Sequence, residues 1–243
     1  MKTTVILSVV LATAPFVSVK ANTLADWTIE TMASTNIVIG SGHTIGATQS
    51  GVGADIGSGT ASARHASAST AWSIPAGNGS PHSWSANRWA AGDYYQFSVN
   101  LGSGIYTYSD ITVSYDQNGS STGPETFYFA YSTDGSTFTK YGSDYGLLSG
   151  VTWSFATPNQ GTQLSFDLSS ITALNTASTI YFRVVEDSPV TGGAINGGDI
   201  GTSGTDQIDN FLVSATLTPV PEPAVLQLSA VGMAAFLAVR RRK

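Results

Sequence analysis

Residues 204–210, Gly-Thr-Asp-Gln-Ile-Asp-Asn, gather three oxygen-bearing side chains where the last strand is expected to begin, those of Asp206, Asp209 and Asn210. Carboxylate and amide oxygens suit calcium, which takes roughly six to eight oxygen ligands. Residues three apart on a plain strand point to opposite faces, so a shared site needs a turn over residues 204–207. Glu30 or Asp26, near the first strand, would complete a structural calcium site. The alternative is that the two aspartates cap turns by accepting hydrogen bonds from nearby amides.

A second group of candidate residues is aromatic. Within residues 72–95 the sequence places Trp72, Trp84, Trp89, Tyr94 and Tyr95, interspersed with His82, Asn87, Arg88 and Asp93. Sugar rings stack on aromatic faces, and guanidinium, amide and carboxylate groups bond the sugar hydroxyls. The residues predicted to bind carbohydrate are Trp84, Arg88, Trp89 and Tyr94. The alternative is that roughly half of these aromatic side chains lie in the core, where Trp and Tyr are commonly buried.

Catalytic motifs are missing from the sequence. It contains no H-E-x-x-H or G-x-S-x-G pattern and no Cys. A carboxylate pair for glycoside hydrolysis would have to come from residues that are distant in sequence, and Glu125 and Glu186 are the candidates. We therefore expect a binding protein without catalytic residues, with a polysaccharide-active enzyme as the less favoured alternative.

The charge of the chain is strongly segregated. Between Asn22 and Leu217 there are fifteen Asp or Glu and only four Lys or Arg, which gives this body a net charge of −11. Such a field repels phosphate backbones, so we expect no nucleic-acid partner. It also keeps an exported domain soluble. The body is long enough to bury a core without disulfides.

The elements that must position these residues follow a period-two alternation, broken by Gly, Asn and Asp. The clearest strand patterns cover residues 93–102, 109–119, 125–142, 151–157, 162–168, 179–187 and 206–217. Residues 35–42 and 63–74 are weaker candidates, and residues 168–175 show the only helical pattern. Asp134-Gly135 inside the third segment predicts a tight hairpin turn.

These patterns predict an all-β fold, an antiparallel β-sandwich of eight or nine short strands over residues 22–218. A jelly roll is favoured, because both ends of the body are strand-like and could pair side by side. Two Gly-rich stretches, residues 41–69 and 186–206, are expected to be long surface segments, with sparse strands as the alternative for the first.

The first 21 residues are typical of a secretory signal peptide. Lys2 precedes an apolar run over residues 5–17, and Val19-Lys20-Ala21 places small residues at a cleavage site. We predict cleavage after Ala21 and therefore export of the body.

The last 25 residues, 219–243, form a tripartite tail. Val220 precedes Pro221, Glu222 and Pro223, and the prolines hold Glu222 extended, a conformation that a protease cleft can accept. Residues 224–239 are apolar and would span roughly 24 Å as a helix, slightly short of a bilayer core of about 30 Å. The basic end consists of Arg240, Arg241, Arg242 and Lys243. By the positive-inside rule this end stays in the cytoplasm.

This tail resembles the PEP-CTERM sorting signal of exported proteins from Gram-negative, exopolysaccharide-producing bacteria. The resemblance implies processing by an exosortase, a membrane-embedded transpeptidase-like enzyme, after transient anchoring in the inner membrane. It also implies a final location in the cell envelope, on the outer surface or in the extracellular matrix.

Residues 131–142, 166–185 and 204–215 resemble β-sandwich domains that are often attached to such tails. Similar jelly rolls serve as carbohydrate-binding modules and lectin-like domains. The expected partner is therefore exopolysaccharide or another surface glycan. The alternative is a structural or adhesive envelope protein without a ligand site.

Overall fold

The computed structural model of the chain describes residues 21–30, 44–102 and 104–220. The predicted signal peptide before Ala21, the Pro221–Pro223 site, the apolar segment 224–239 and the weak strand candidate 35–42 lie outside these residues. No helix in the described ranges is long and apolar enough to cross a membrane.

The described residues form two antiparallel β-sheets packed face to face, so the predicted antiparallel β-sandwich is confirmed. The eight-stranded sheet contains β1 (Ala21–Trp27), β2 (Thr44–Ile45), β4 (Ile56–Gly57), β6 (Ala71–Ser73), β7 (Trp84–Asn87), β9 (Tyr106–Gly119), β12 (Gln163–Asp167) and β14 (Thr205–Pro219). The six-stranded sheet contains β3 (Thr48–Gly53), β5 (Gly59–Arg64), β8 (Tyr94–Asn100), β10 (Thr126–Ser132), β11 (Thr139–Gly146) and β13 (Thr179–Glu186). Two short 3-10 helices cover Gln160–Thr162 and Thr172–Thr176.

The first and last strands of the body pair, as their strand-like sequences predicted. Strand β1 runs antiparallel to β14, with Ala21 opposite Thr216 and Trp27 opposite Phe211. On its other side β14 pairs with β9 as far as Pro219 opposite Tyr106, and the Val220 amide donates to the Ile105 carbonyl. Backbone hydrogen bonds therefore hold the sandwich together as far as Val220, the last described residue.

The core lies between the sheets and is rich in aromatic rings. Phe97 from β8 and Phe211 from β14 stack with ring centroids 3.6 Å apart, and Trp27 meets Phe97 edge-on at 5.1 Å. All three side chains are at most 1% exposed. Burying one side chain of this size contributes roughly 1.5–3 kcal/mol. These contacts join the two sheets and hold their outer faces at a fixed distance.

One local prediction was wrong, and two were confirmed only in part, since sparse strands were the alternative for residues 41–69 and the candidate 63–74 contains β6. Residues 151–157 form no strand, although Trp153 is buried. The Gly-rich stretch 41–69 is a set of short strands from residue 44 to 64, because Ala, Val and Gln at alternate positions suffice to cover the core edge. Residues 63–74 end β5 and form β6, with a loop between them. The helical pattern at 168–175 corresponds to the 3-10 helix Thr172–Thr176, and the predicted long loop lies between β13 and β14.

Candidate ligand-binding groove

The outer face of the six-stranded sheet carries a groove of about 400 Å³. It runs across β8, β13, β10 and β11, and its walls include Tyr94, Tyr128, Phe138, Lys140 and Arg183. Successive side chains of a strand point to opposite faces of the sheet. The neighbours of Tyr94 and Arg183 along their strands point into the core, so Tyr94 and Arg183 point outward into the groove. Cross-strand register then aligns the outward positions.

Two rows of outward side chains cross the sheet. In the first, Tyr94 lies opposite Arg64 on one side and Val185 on the other, and Val185 lies opposite Tyr128. In the second, Gln96 lies opposite Arg183, and Arg183 lies opposite Ala130. Directly opposed side chains on one sheet face are within contact distance. The rows therefore bring together residues that are up to about 120 positions apart in sequence.

Arg183 is the central side chain of the groove. Its guanidinium carbon lies 3.9 Å from the ring centroid of Tyr94 and 3.6 Å from that of Phe138. Its Nε donates to Oε1 of Gln96 at 2.8 Å and its Nη2 donates to the Tyr94 hydroxyl at 3.3 Å. Two rings and two hydrogen bonds thus fix a guanidinium group on the sheet surface, an arrangement that lysine could not reproduce.

The six-residue connection between β10 and β11, residues 133–138, brings Phe138 over the sheet. In the β10–β11 connection, Oδ1 of Asp134 accepts hydrogen bonds from the Ser136 and Thr137 amides at 2.7 and 2.8 Å. These bonds lower the pKa of Asp134 to about 2. Gly135 adopts a φ of 71°, and a Cβ there would lie 3.0 Å from the Tyr181 ring. The hairpin predicted at Asp134-Gly135 is therefore confirmed, but it closes through a six-residue connection and not through a tight turn.

The far end of the groove contains both signs of charge. Nζ of Lys140 lies 4.7 Å from the Tyr128 ring centroid, 2.5 Å from a carboxylate oxygen of Asp144 and 3.8 Å from one of Asp187. Lys140 is therefore already neutralised by acidic neighbours.

The near end continues into a smaller groove of about 230 Å³ that shares Gly92 and Tyr94 with the first and adds Arg64 and Asp93. Asp93 is 3% exposed and accepts hydrogen bonds from the Ala66 and Ala90 amides. Arg64 is exposed at the end of β5. Three of the four basic residues of the body, Arg64, Lys140 and Arg183, thus line one continuous surface.

The residues predicted to bind carbohydrate are divided by the structure. Tyr94 lines the groove, half-buried, whereas Arg88 is exposed outside it in the turn after β7. Trp84 and Trp89 are 0% and 5% exposed, so their rings cannot form the predicted stacking platform. Their burial follows the alternative reading, in which the largest aromatic side chains fill the core.

A buried histidine explains how these indoles pack. The His65 ring centroid lies 4.1 Å from Trp89 and 4.6 Å from Trp72, and burial lowers the His65 pKa to about 3. Trp72 donates its Nε1 to the Gly46 carbonyl, and Trp89 donates to the Ala86 carbonyl. With Tyr95 also 0% exposed, four of the five clustered aromatic residues belong to the core.

The residues predicted to bind calcium are not brought together. Strand β14 already begins at Thr205, so the expected turn does not form and Asp206 faces the core at 0% exposure. Asp209 points the other way and accepts from the Asn78 amide and the Ser80 hydroxyl. Oε1 of Glu30 instead accepts from the His82 amide. Within the described ranges, no group of three or more His, Cys, Asp or Glu is placed to hold a metal ion.

Asn210, but not Asp209, borders a groove of about 350 Å³ on the outer face of the eight-stranded sheet, whose lining also includes Asp26, Asp116 and Gln163. Asn210 adopts a φ of 51° at a bulge in β14, and its Nδ2 donates to Oδ2 of Asp116 at 2.8 Å. Asn tolerates this left-handed conformation better than most residues. Burial raises the pKa of Asp209 to about 7 and also raises that of Asp116.

Glu186, one of the two carboxylates considered for glycoside hydrolysis, lies inside the sandwich at 0% exposure. Oε1 of Glu186 accepts from the Ser188 amide at 2.7 Å, whereas Oε2 is buried without a partner in the described residues. Burial raises the Glu186 pKa to about 7. A polysaccharide cannot reach this carboxyl group. Glu125 is half-buried beside Gly146.

Sequence reasoning missed Tyr128, Phe138, Lys140 and Arg183. The available signal was the alternation of side-chain directions along a strand. Arg183 lies between the apolar Phe182 and Val184, which point inward, so Arg183 is expected to point outward. What this alternation could not provide was the order of strands, which places β13 between β8 and β10.

Comparisons with known proteins add little to this description. No protein-family model and no curated protein matches the chain. Among solved structures, TmCBM61 in complex with β-1,4-galactotriose matches at 13% identity over 74% of this chain and 98% of that chain, with a TM-score of 0.27. Endoglucanase 3 of Trichoderma harzianum, from family GH12, matches at 10% identity over 83% of this chain and 100% of that chain, with a TM-score of 0.29. Likeness at these scores carries no argument about function.

Proposed function

We propose that the sandwich binds polysaccharide in the groove on the outer face of the six-stranded sheet. The observation that carries this proposal is the combination of Tyr94, Tyr128 and Phe138 with Arg183 and Gln96 on one open surface. None of these three rings packs against another aromatic ring in the part of the chain that the structure describes. Arg183 lies over one face of Tyr94 and of Phe138, and Lys140 lies over one face of Tyr128, so a sugar would stack on the opposite faces. Aromatic faces for sugar rings and fixed donors and acceptors for hydroxyl groups are what such binding needs.

The shape of the surface suits an extended ligand. From β5 to β11 the two connected grooves cross five strands, a distance of roughly 19 Å at the usual strand spacing. Several sugar rings could lie along this path. Gly92, where the grooves join, has no side chain to block it.

The proposal includes an exported chain. Residues 1–21 would direct secretion, residues 224–239 would anchor the chain briefly, and an exosortase would process the Pro221-Glu222-Pro223 site. The mature protein would then stand in the cell envelope or matrix of a Gram-negative bacterium and organise surface polysaccharide there without catalysis. Assignment of the sandwich to the jelly-roll family belongs to the same proposal.

A glycan array with residues 22–218 tests the binding proposal. We expect binding to at least one polysaccharide, weakened about tenfold by Tyr128→Ala. Tyr106→Ala is the matched control, because Tyr106 is 42% exposed and lies on the other sheet. An array without any binding, with and without calcium, would leave a structural or adhesive envelope protein as the function.

Calcium remains a separate prediction. A melting temperature that rises with added calcium and falls with chelator would support it, since a ligand that binds only the folded state stabilises that state. Mass spectrometry of envelope-attached protein tests the processing step, for which we expect loss of the Arg240–Lys243 end.

A further inference from the structure

The two connected grooves contain two guanidinium groups without acidic partners, that of Arg183 in the larger groove and that of Arg64 in the smaller one. Although the body has fifteen Asp or Glu for four Lys or Arg, neither Arg64 nor Arg183 forms an ion pair with any residue that the structure describes. Lys140, by contrast, is paired with Asp144 and Asp187. Two unpaired cations side by side in such an acidic protein require an explanation.

The two arginines are close enough to repel each other. Burial is the main cause that lowers the pKa of Arg183; Tyr94 and Tyr128 act in the opposite direction, and the positive charge of Arg64 again lowers it. Strands β5 and β13, which carry them, are separated only by β8, so they stand roughly 10 Å apart in the hydrogen-bonding direction. An anionic ligand would relieve this repulsion.

Arg183 is oriented to receive such a ligand. Of its five N–H groups, one on Nε and one on Nη2 donate to Gln96 and Tyr94. The Tyr94 and Phe138 rings lie within 4 Å of the guanidinium carbon, and the other three N–H groups of Arg183 have no acceptor in the described part of the chain. A guanidinium edge matches the two oxygens of a carboxylate or sulfate group.

We infer that the groove selects an acidic polysaccharide, one whose sugars carry carboxylate or sulfate groups. The inference rests on the proposed binding function and adds the ligand class. Two guanidinium groups in adjacent rows match a chain with repeated anionic groups better than a single small anion, which can contact only one of them. The aromatic walls would hold the sugar rings between these contacts.

The net charge of −11 does not prevent this binding. At physiological ionic strength, charges more than about 8 Å apart are largely screened when exposed. The acidic groove lined by Asp26 and Asp116 lies on the opposite face, across two sheets that pack about 10 Å apart. The nearby carboxylates are otherwise engaged, because Asp93 accepts two backbone amides and Asp187 faces Lys140.

The test uses matched polymers and matched variants of the body, residues 22–218, in titration calorimetry. Polygalacturonate is compared with its methyl ester, and dextran sulfate with dextran, so that the two polymers of each pair share a sugar backbone and one of them lacks the anionic groups. We expect at least one charged polymer to bind ten times more tightly than its neutral counterpart, and the pair that responds identifies carboxylate or sulfate. Arg64→Gln and Arg183→Gln should each weaken that binding five- to tenfold.

Arg88→Gln is the control, because Arg88 is an exposed arginine of the same body outside the groove, and it should change affinity less than twofold. Equal binding of charged and neutral polymers, with loss only in Tyr128→Ala, would overturn the inference and leave the proposed function standing. Equal losses in Arg88→Gln and Arg64→Gln would overturn it as unspecific charge attraction. No binding of any polymer here or on the glycan array would overturn both.

Discussion

The two outer faces of the sandwich carry grooves of similar size and opposite chemistry. On the eight-stranded sheet the polar groups satisfy one another, since Asn210 donates to Asp116, and Asp209 accepts from Asn78 and Ser80. On the six-stranded sheet Arg64 and Arg183 have no acidic partner in the described part of the chain. A closed polar network stabilises a fold, whereas unpaired charges and open aromatic faces are available to a ligand.

The comparison also explains why Asp209 and Asn210 resemble metal ligands in the sequence, although they have a structural role in the fold. Asp209 and Asn210 follow each other at the start of a long strand, and one of them sits at a bulge. Oδ2 of Asp209 accepts hydrogen bonds from the Asn78 amide and the Ser80 hydroxyl, and Nδ2 of Asn210 donates to Asp116. Buried carboxylates with several donors are common structural devices, and they resemble metal ligands in a sequence.

The largest expected effect concerns a carboxyl group beneath the six-stranded sheet. The pKa of Glu186 is raised from 4.5 to about 7, with burial as the main cause, so the folded state binds this proton more tightly than the unfolded state does. Its contribution to stability is full below pH 4.5 and is lost as the pH rises through about 7. The shift corresponds to about 3 kcal/mol.

Urea unfolding of the wild type and Glu186→Gln at pH 4 and pH 8 measures this effect. The wild type should lose about 3 kcal/mol more than the variant between the two pH values. His65 titrates in the opposite sense in both proteins, because its pKa is lowered to about 3, and therefore cancels in the comparison. Parallel pH profiles for the two proteins would contradict the assignment to Glu186.

The second effect separates the faces by binding. Replacing Tyr94 and Tyr128 together by Ala should weaken polysaccharide binding about 100-fold, or about 2.7 kcal/mol, because both walls lose a stacking ring. The matched pair Gln163→Ala and Ser165→Ala lies in the groove of the eight-stranded sheet and should leave affinity unchanged. If the second pair weakened binding and the first did not, the ligand would belong to the other face. Titration calorimetry with a polysaccharide identified on the array measures both.

The third effect separates the faces by stability. Asp209→Ala removes the acceptor for the buried Asn78 amide, which then lacks a partner, whereas the half-buried Ser80 hydroxyl can still donate to the His82 carbonyl. We expect a loss of about 2 kcal/mol in the free energy of unfolding, without a change in polysaccharide affinity. Chemical denaturation measures the stability and titration calorimetry measures the affinity of the same preparation. A variant with native stability but impaired binding would show that the face with Asp209 binds the ligand.

Much of the fold could be predicted from the sequence, because alternation reports which side chains point inward. The patterns around Phe97, Phe129 and Phe182 predicted three strands of the six-stranded sheet, and Asp134-Gly135 predicted the hairpin between β10 and β11. The short Gly- and Ala-rich strands after residue 44 were not predicted as strands, since small side chains give little periodic signal. The pairing of first and last strands was anticipated from the strand-like ends of the body.

The candidate groove was predicted only through Tyr94. Arg183 and Gln96 form a hydrogen bond although they are 87 positions apart in the sequence, and no local sequence pattern predicts that contact. The cluster of Trp residues drew attention because aromatic density is visible in a sequence, but density alone does not distinguish a core from a platform. Alternation combined with charge, as at Arg183, was the better indicator.

The smallest expected effect is the change in the free energy of unfolding caused by Arg64→Gln. It contrasts with the large loss expected for Asp209→Ala on the opposite face. Arg64→Gln should change the free energy of unfolding by less than about 0.5 kcal/mol, because Arg64 is exposed and forms no ion pair within the described residues. Relief of repulsion with Arg183 could even stabilise the variant slightly, since the two positive charges oppose each other. Denaturation at low and high salt measures this, and any stabilisation should shrink as salt screens the pair. A residue that costs nothing to remove from the fold, yet weakens the binding of an acidic polymer, is retained for its ligand. A large loss of stability would instead assign Arg64 to the fold, as Asp209 is assigned on the opposite face.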